Sequence, residues 1–374
     1  MSKASGPPFR ADHVGSLLRP PHLHAARAGF AVGELDAAEL RAVEDEAVTE
    51  VVRMQADIGL RTATDGEFRR ATWHMDFIYA IGGIRKIPGE GPVVRFRNAD
   101  GTIEWQPAGL HVEAPLVIDE PIFGTDFAYL SSMVGGGQTA KLTIPSPSMV
   151  HYRGGPAAID PAVYPDEDGF WAALSAAYAS QVRGVAALGC TYLQLDDTSL
   201  AYLNDPAQRA ELAAQGRDAE HQHERYIRQI NAAVSGRPEG LTVTTHLCRG
   251  NFRSSWVAEG GYDFVAEALF GGLEVDGFFL EYDDARSGGF APLRFVPPGK
   301  RVVLGLVTTK RPQLEAKDDL KRRIEEASRY VPIEQLALSP QCGFSSTVEG
   351  NALTRDDQIA KLRLVVETAE EVWG

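Results

Sequence analysis

Short apolar runs recur along the chain, and most are followed by a stretch whose apolar positions repeat at helical spacing. The runs fall at residues 12–16, 60–64, 140–144, 191–195, 241–245, 277–280, 301–307 and 336–338. Helical spacing follows at 35–54, 170–188, 220–234, 262–269, 317–329 and 355–372. Between residues 81 and 118 the texture changes to Gly, Pro and alternating segments at 93–96, 103–105 and 110–118, which predicts β-hairpins inserted after the second strand. Eight short strands alternating with helices predict an α/β fold, a (β/α)8 TIM barrel. On this reading residues 1–374 form a single catalytic barrel, with 81–118 a β-rich insertion within it. A doubly wound open sheet is the competitor. It would want a glycine-rich phosphate turn after its first strand, and no G-x-G-x-x-G or G-x-x-x-x-G-K-[ST] is present.

The barrel gives meaning to the polar residues that end the runs. Ser16, Asp65 and Glu67, Ser146, Asp196, His246 and Cys248, Glu281, Thr308 and Cys342 all fall at predicted carboxyl ends of strands, where barrel active sites form. Residues two apart on a strand share a side, so His246 and Cys248 aim at the same place. A neutral imidazole and a thiolate suit zinc, and Glu281 and Cys342 complete a mixed N, S, O set. The intervals of 33 and 61 residues to the third and fourth ligands exceed a zinc finger's short loops and suit a site assembled by a scaffold. A buried thiol and a hydrogen-bonded core histidine are the plainer alternative for His246 and Cys248 taken alone.

Composition narrows the function classes. The formal net charge of −14 argues against a nucleic-acid or anionic-membrane surface. The first residues lack the apolar core of a signal peptide, and no apolar run approaches the ~20 residues that cross a bilayer. Three cysteines, an odd number, do not make a disulfide framework, so a reducing cytoplasmic location is expected. With two thiolates and a carboxylate around it, zinc would be a poor Lewis acid for hydrolysis. Its better use is to hold an incoming small-molecule thiol deprotonated, since a free thiol of pKa ~8.5 is mostly protonated at neutral pH. Glu281, an oxygen among softer donors, is the ligand that such a thiol would displace.

In order along the chain, His13-Val14-Gly15-Ser16, Asp65-Gly66-Glu67-Phe68, Leu193-Gln194-Leu195-Asp196, Thr245-His246-Leu247-Cys248, the strand ending in Glu281, and Pro340-Gln341-Cys342-Gly343 carry a resemblance. Together they resemble the catalytic barrel of the cobalamin-independent methionine synthase family, over nearly the whole chain. The resemblance implies that His246, Cys248, Glu281 and Cys342 bind Zn2+, which holds homocysteine for methyl transfer. It implies that Ser16, Glu67 and Asp196 hold the amino acid, and the chemistry agrees: an ammonium group wants carboxylates, and a carboxylate wants hydroxyl and N–H donors. The chain departs from the family in holding one barrel's worth of elements. It also has proline in the 143–148 stretch where the family has a pterin-packing tryptophan, and Lys310 where the family has a proton-donating histidine. The acceptor half therefore looks kept and the donor half rebuilt, as in the family's short single-barrel relatives.

The expected function is a zinc-dependent S-methyltransferase forming methionine from homocysteine, with 5-methyltetrahydrofolate or a simpler compound as methyl donor. Lys310 and His13 are the candidates for handling a proton. The alternatives are a zinc-thiolate alkyltransferase of the epoxyalkane–coenzyme M type, in which Glu67 and Asp196 would lack an ammonium partner, a non-catalytic zinc- or thiol-binding protein, and a metal-free barrel enzyme. Among the rest, Trp73 and His74 are candidates for the site's mouth, with packing the plainer role for Trp73. Arg249 and Arg253 are candidates for a substrate carboxylate. Asp197 should point away from Asp196, Cys190 reads as core, and Lys321-Arg322-Arg323 as a solvated helix face. Oligomeric state is left open.

Overall fold

The computed structural model describes residues 6–374. Its strands in chain order are β1 (Thr62–Ala63), β2 (Gly82–Ile87), β3 (Val94–Asn98), β4 (Gly101–Trp105), β5 (Gly109–Val117), β6 (Thr139–Ala140), β7 (Leu142–Pro145), β8 (Tyr192–Asp197), β9 (Thr242–Leu247), β10 (Gly277–Glu281), β11 (Arg301–Val307) and β12 (Leu336–Pro340). A six-stranded sheet runs in the order β12-β11-β10-β9-β8-β7, every neighbour parallel. Parallel pairing goes on beyond both edges. β6, directly before β7, pairs with β1, and past β12 a parallel bridge joins Leu338 to Ala11.

The two-residue period sorts the strands' side chains. On one side Val14, Phe279, Val303 and Ala337 form their own apolar cluster, while Leu193, Val243, Phe278 and Leu304 join the larger core that packs on the helices. In the β8–β9–β10 register, Asp196 lies beside His246 and His246 beside Phe279. Lys141, between β6 and β7, is fully buried. Its ammonium donates to the His13 carbonyl at 2.6 Å, lies 3.5 Å from Asp12 and sits over the Phe279 ring. Burying a charge demands such partners.

Helices start where side-chain caps allow. Asp36 and Glu39 form a capping box at the head of Ala37–Ile58, Asp166 caps Glu167–Ala187, and Thr354 with Asp357 caps Arg355–Trp373. Predicted and observed bounds agree closely for most elements, and the differences are local. The expected first strand contributes one bridge, at Ala11. The third is split in two around Lys141. The 81–118 region holds an additional strand, β2, which pairs antiparallel with β5, while β3 and β4 make a separate hairpin. That hairpin leans over the carboxyl end of β9: Arg97 pairs with Trp256 through the backbone, and the Phe96 ring packs 5.2 Å from Phe252.

Candidate metal centre and the cavity beside it

His246, Cys248, Glu281 and Cys342 converge at the ends of β9 and β10 and just past β12. One ligand atom from each lies within 4.8 Å of the others, and all four side chains are buried. The two thiols are 3.4 Å apart. The contact with Cys342 and burial push the Cys248 thiol well up, whereas the same contact lowers Cys342. Burial pulls His246 down, but its bond to Asp196 and the neighbouring Cys342 lift it to about 9. Glu281 accepts weakly from the Arg249 amide at 3.3 Å through one oxygen, and its other oxygen is buried without a partner. A buried orphan carboxylate oxygen facing two thiols and an imidazole is a costly arrangement unless a cation completes it. The donor set fits zinc.

The supports are specific. His246 is held at both ring nitrogens, Nδ1 lying 3.2 Å from Asp196 and Nε2 3.2 Å from the Gln341 carbonyl, and Gln194 holds the Asp196 carboxylate by donating to it at 2.7 Å. Arg249 is fully buried, with its guanidinium on the Tyr262 hydroxyl and the carbonyls of Gly260 and Glu281. It braces the ends of β9 and β10, and the substrate-carboxylate role considered from sequence is corrected on this ground. Arg253 is exposed.

A cavity of about 40 Å³ opens beside the cluster. Ser16, Glu67, Asp196, His246, Cys248 and Cys342 all border it. Glu67 stands in a turn with φ of 61°, a strained conformation for a side-chain-bearing residue, and its amide donates to Asp65 at 2.9 Å. Arg19 ties that turn to the loop after β12, donating to the carbonyls of Glu67 and Arg70 and to Ser345. One Glu67 oxygen accepts from Thr143 at 2.7 Å, with the Arg70 guanidinium 3.6 Å away, and the other is buried without a partner. Burial raises this carboxyl to about 7 against the opposing pull of Arg70, and nearby Asp196 adds to the rise. Ser16 lies against Gly343, where a Cβ would come 1.9 Å from the Ser16 hydroxyl oxygen, so residue 343 has room only for glycine.

The remaining sequence candidates fall elsewhere. His13 and Lys310 are not among the residues bordering the cavity. His13 is buried and pushed down to about 4 by burial and the charge of Lys141. Lys310 has its ammonium buried without a hydrogen bond, and its charge lowers both Cys248 and Cys342. Asp197 turns to Ser146, Ser199 and the Leu200 amide, which removes Ser146 from the cavity. Cys190 is buried core. Trp73 and His74 do border the cavity, and so do Phe96 and Trp105 of the inserted hairpin, Arg153 and Asn251, which sequence reasoning missed. The alternation within 93–105 was the one available signal for Phe96 and Trp105.

The sequence profile of the family described as "Cobalamin-independent synthase, Catalytic domain" matches residues 9–371. The Bacillus subtilis proteins YxjG and YxjH, both uncharacterized, are each 46% identical, over 98% of this chain and 95% of their own length. The methionine synthase of Pyrococcus abyssi is 24% identical over 88% of this chain and 85% of its own. The 5-methyltetrahydropteroyltriglutamate–homocysteine methyltransferase of Mycobacterium tuberculosis is 24% identical over 98% of this chain, which spans 43% of that protein. Among solved structures, a candidate vitamin-B12-independent methionine synthase of Listeria monocytogenes superposes with a TM-score of 0.78 at 37% identity, covering 98% of both chains. A B12-independent methionine synthase of Shewanella, in complex with selenomethionine, shares the fold with a TM-score of 0.71 at 18% identity, covering 97% of both chains.

Proposed function

The chain belongs to the cobalamin-independent synthase catalytic-domain family, and from that premise we propose that it is a zinc-dependent S-methyltransferase that makes methionine from homocysteine. The observation that carries this reading is one cavity bordered by three of the four metal donors and by two buried carboxylates, Glu67 and Asp196. We read the parallel ring, with Ala11 and β1 as its short members, as a (β/α)8 barrel, the whole chain as one domain, and 81–118 as an insertion. Three cysteines free of disulfides suit a reducing cytoplasm.

Zinc, when bound, would supply the means to hold the substrate thiol as a nucleophilic thiolate. The chain's own residues do the rest. Glu67 and Asp196 receive the α-ammonium group, which satisfies the orphan oxygen of Glu67 and favours its charged form. Ser16 donates its hydroxyl to the substrate carboxylate. Asp196 has a second task, since its contact with Nδ1 fixes the ring orientation and tautomer of His246. Lys310 offsets part of the cluster's negative charge, a role that fits its place better than proton transfer does. An ammonium anchor of two carboxylates disfavours a sulfonate thiol, and with it the coenzyme M alternative.

The test is methionine formation by zinc-loaded protein with homocysteine across a donor panel that includes methyltetrahydrofolate and simple methyl sulfonium compounds. Methionine is expected. Failure of homocysteine to bind the zinc-loaded protein would overturn the reading.

A further inference from the structure

Gln194 is fully buried in β8, and the two-residue period of the strand sets it on the same side as Asp196. Its side-chain amide donates twice at 2.7 Å, once to the Asp196 carboxylate and once to the Val14 carbonyl. A carboxylate and a carbonyl only accept, so the NH2 end must face them, and each takes one of its two hydrogens. The other end, Oε1, is buried without a partner. A buried amide oxygen left unsatisfied lowers stability, so packing alone gives no reason for a glutamine here.

Each partner of that amide leads to a different part of the site. Val14 stands two residues before Ser16. The carbonyls on either side of Val14 are held too, by Lys141 at 2.6 Å and by Thr64 at 2.7 Å, and Gln194 differs from these donors in also bonding a carboxylate that borders the cavity. Asp196 meets Gln194 and His246 Nδ1 through the same oxygen, Oδ1, which leaves Oδ2 for a ligand. One hydrogen-bonded path therefore runs from the Ser16 segment through Gln194 and Asp196 to His246, one of the four metal donors.

We propose that Gln194 is a positioning residue: it sets the spacing between Ser16 and Asp196 and, through Asp196, steadies His246. It does not itself border the cavity. The carboxylate and ammonium groups of an α-amino acid sit on one carbon, so the residues that receive them must be held to within about 0.5 Å of a fixed separation. A single amide with both hydrogens committed, one to each arm, is a brace of that kind. That the braced groups hold an amino acid rests on the methyltransferase reading. The path to His246 rests on geometry alone.

Two measurements on the zinc-loaded protein test this: competition with a chromophoric chelator for zinc, and calorimetric titration with homocysteine and with 4-mercaptobutanoate, which keeps the thiol and carboxylate but lacks the ammonium group. Gln194→Met, of similar volume and without donors, should weaken homocysteine by about tenfold, the scale of one lost buried hydrogen bond. It should weaken 4-mercaptobutanoate less, so that the preference between the two shrinks. Zinc affinity should fall several-fold in the same variant, and in an Asp196→Asn background Gln194→Met should cost zinc nothing more. Gln194→Asn, one methylene shorter, keeps an amide that cannot span both acceptors, and it is read in the same way should the Met variant fail to fold. Lost stability with both affinities unchanged, an undiminished preference for homocysteine, or costs that add in the Asp196→Asn background would overturn the proposal. If the wild type binds homocysteine no better than 4-mercaptobutanoate, the acceptor reading falls, and the zinc measurement alone decides the coupling.

Discussion

Replacing Glu67 by glutamine should stabilise the substrate-free protein while removing its grip on homocysteine. The free carboxyl titrates near 7 in the folded protein instead of 4.5, because burial outweighs the help of Arg70. A carboxyl whose folded pKa is raised binds more protons folded than unfolded between those two values, so it costs nothing below about pH 4.5. The penalty grows as pH rises toward 7 and is complete above it. At ~1.36 kcal/mol per pH unit the 2.5-unit interval amounts to about 3 kcal/mol. Glutamine escapes that penalty and keeps an oxygen for Thr143, but its amide lacks an assured acceptor and Arg70 loses a charge partner, which together take back about 1 kcal/mol or more. The net expectation is roughly 2 kcal/mol of added stability at pH 8. With about 2.1 cal/mol/K of unfolding entropy per residue, 374 residues convert this to a rise of ~2–3 °C in Tm. Calorimetric scans at pH 8 and pH 5 read it directly: the gain should be present at pH 8 and mostly gone at pH 5. Saturating homocysteine should raise the Tm of the wild type but not of Glu67→Gln. A variant less stable than wild type at both pH values, or still stabilised by homocysteine, would refute the reasoning.

Gly343→Ala should drive Ser16 from its place, because the new Cβ would stand 1.9 Å from the hydroxyl oxygen. Homocysteine binding, measured by calorimetry, should weaken at least about tenfold, the worth of a lost charge-assisted hydrogen bond, while zinc content stays at wild-type level. Asp196→Asn should weaken both functions at once, lowering zinc affinity by roughly 10–100-fold through loss of the His246 contact and weakening homocysteine further. Competition with a chromophoric chelator separates the two effects, and unchanged zinc affinity would remove Asp196 from its role behind His246.

The cluster of His246, Cys248, Glu281 and Cys342 was legible because strand periodicity is local. Once β9 is a strand, His246 and Cys248 share a side, and parallel neighbours bring Glu281 alongside. Asp196 was reachable for the same reason, standing near the end of β8, whereas Glu67 lies in the turn that follows β1. The aromatic wall of the cavity was not. Trp105 is far in sequence from Phe252, and nothing local says that their rings meet at 6.1 Å over the cavity. β2 was missed because Gly82, Gly83, Arg85 and Lys86 read as turn and surface, and its pairing with β5 supplies the order that propensity does not. Arg249 was misread because its partner, Tyr262, lies in the loop beyond the strand. His13 and Lys310 had the right residue types near the right strands, but which residue borders a cavity depends on packing that spacing does not encode.

The central claim is that these four residues hold zinc and that the metal takes the substrate's sulfur. X-ray absorption at the zinc edge, on protein loaded with one equivalent of zinc and then given homocysteine, tests it most directly. The account expects two sulfur neighbours from Cys248 and Cys342 in the free protein, three with homocysteine, and one in substrate-free Cys342→Ser wherever that variant still retains zinc. Zinc bound without sulfur neighbours, or a sulfur count that homocysteine leaves unchanged, would contradict it.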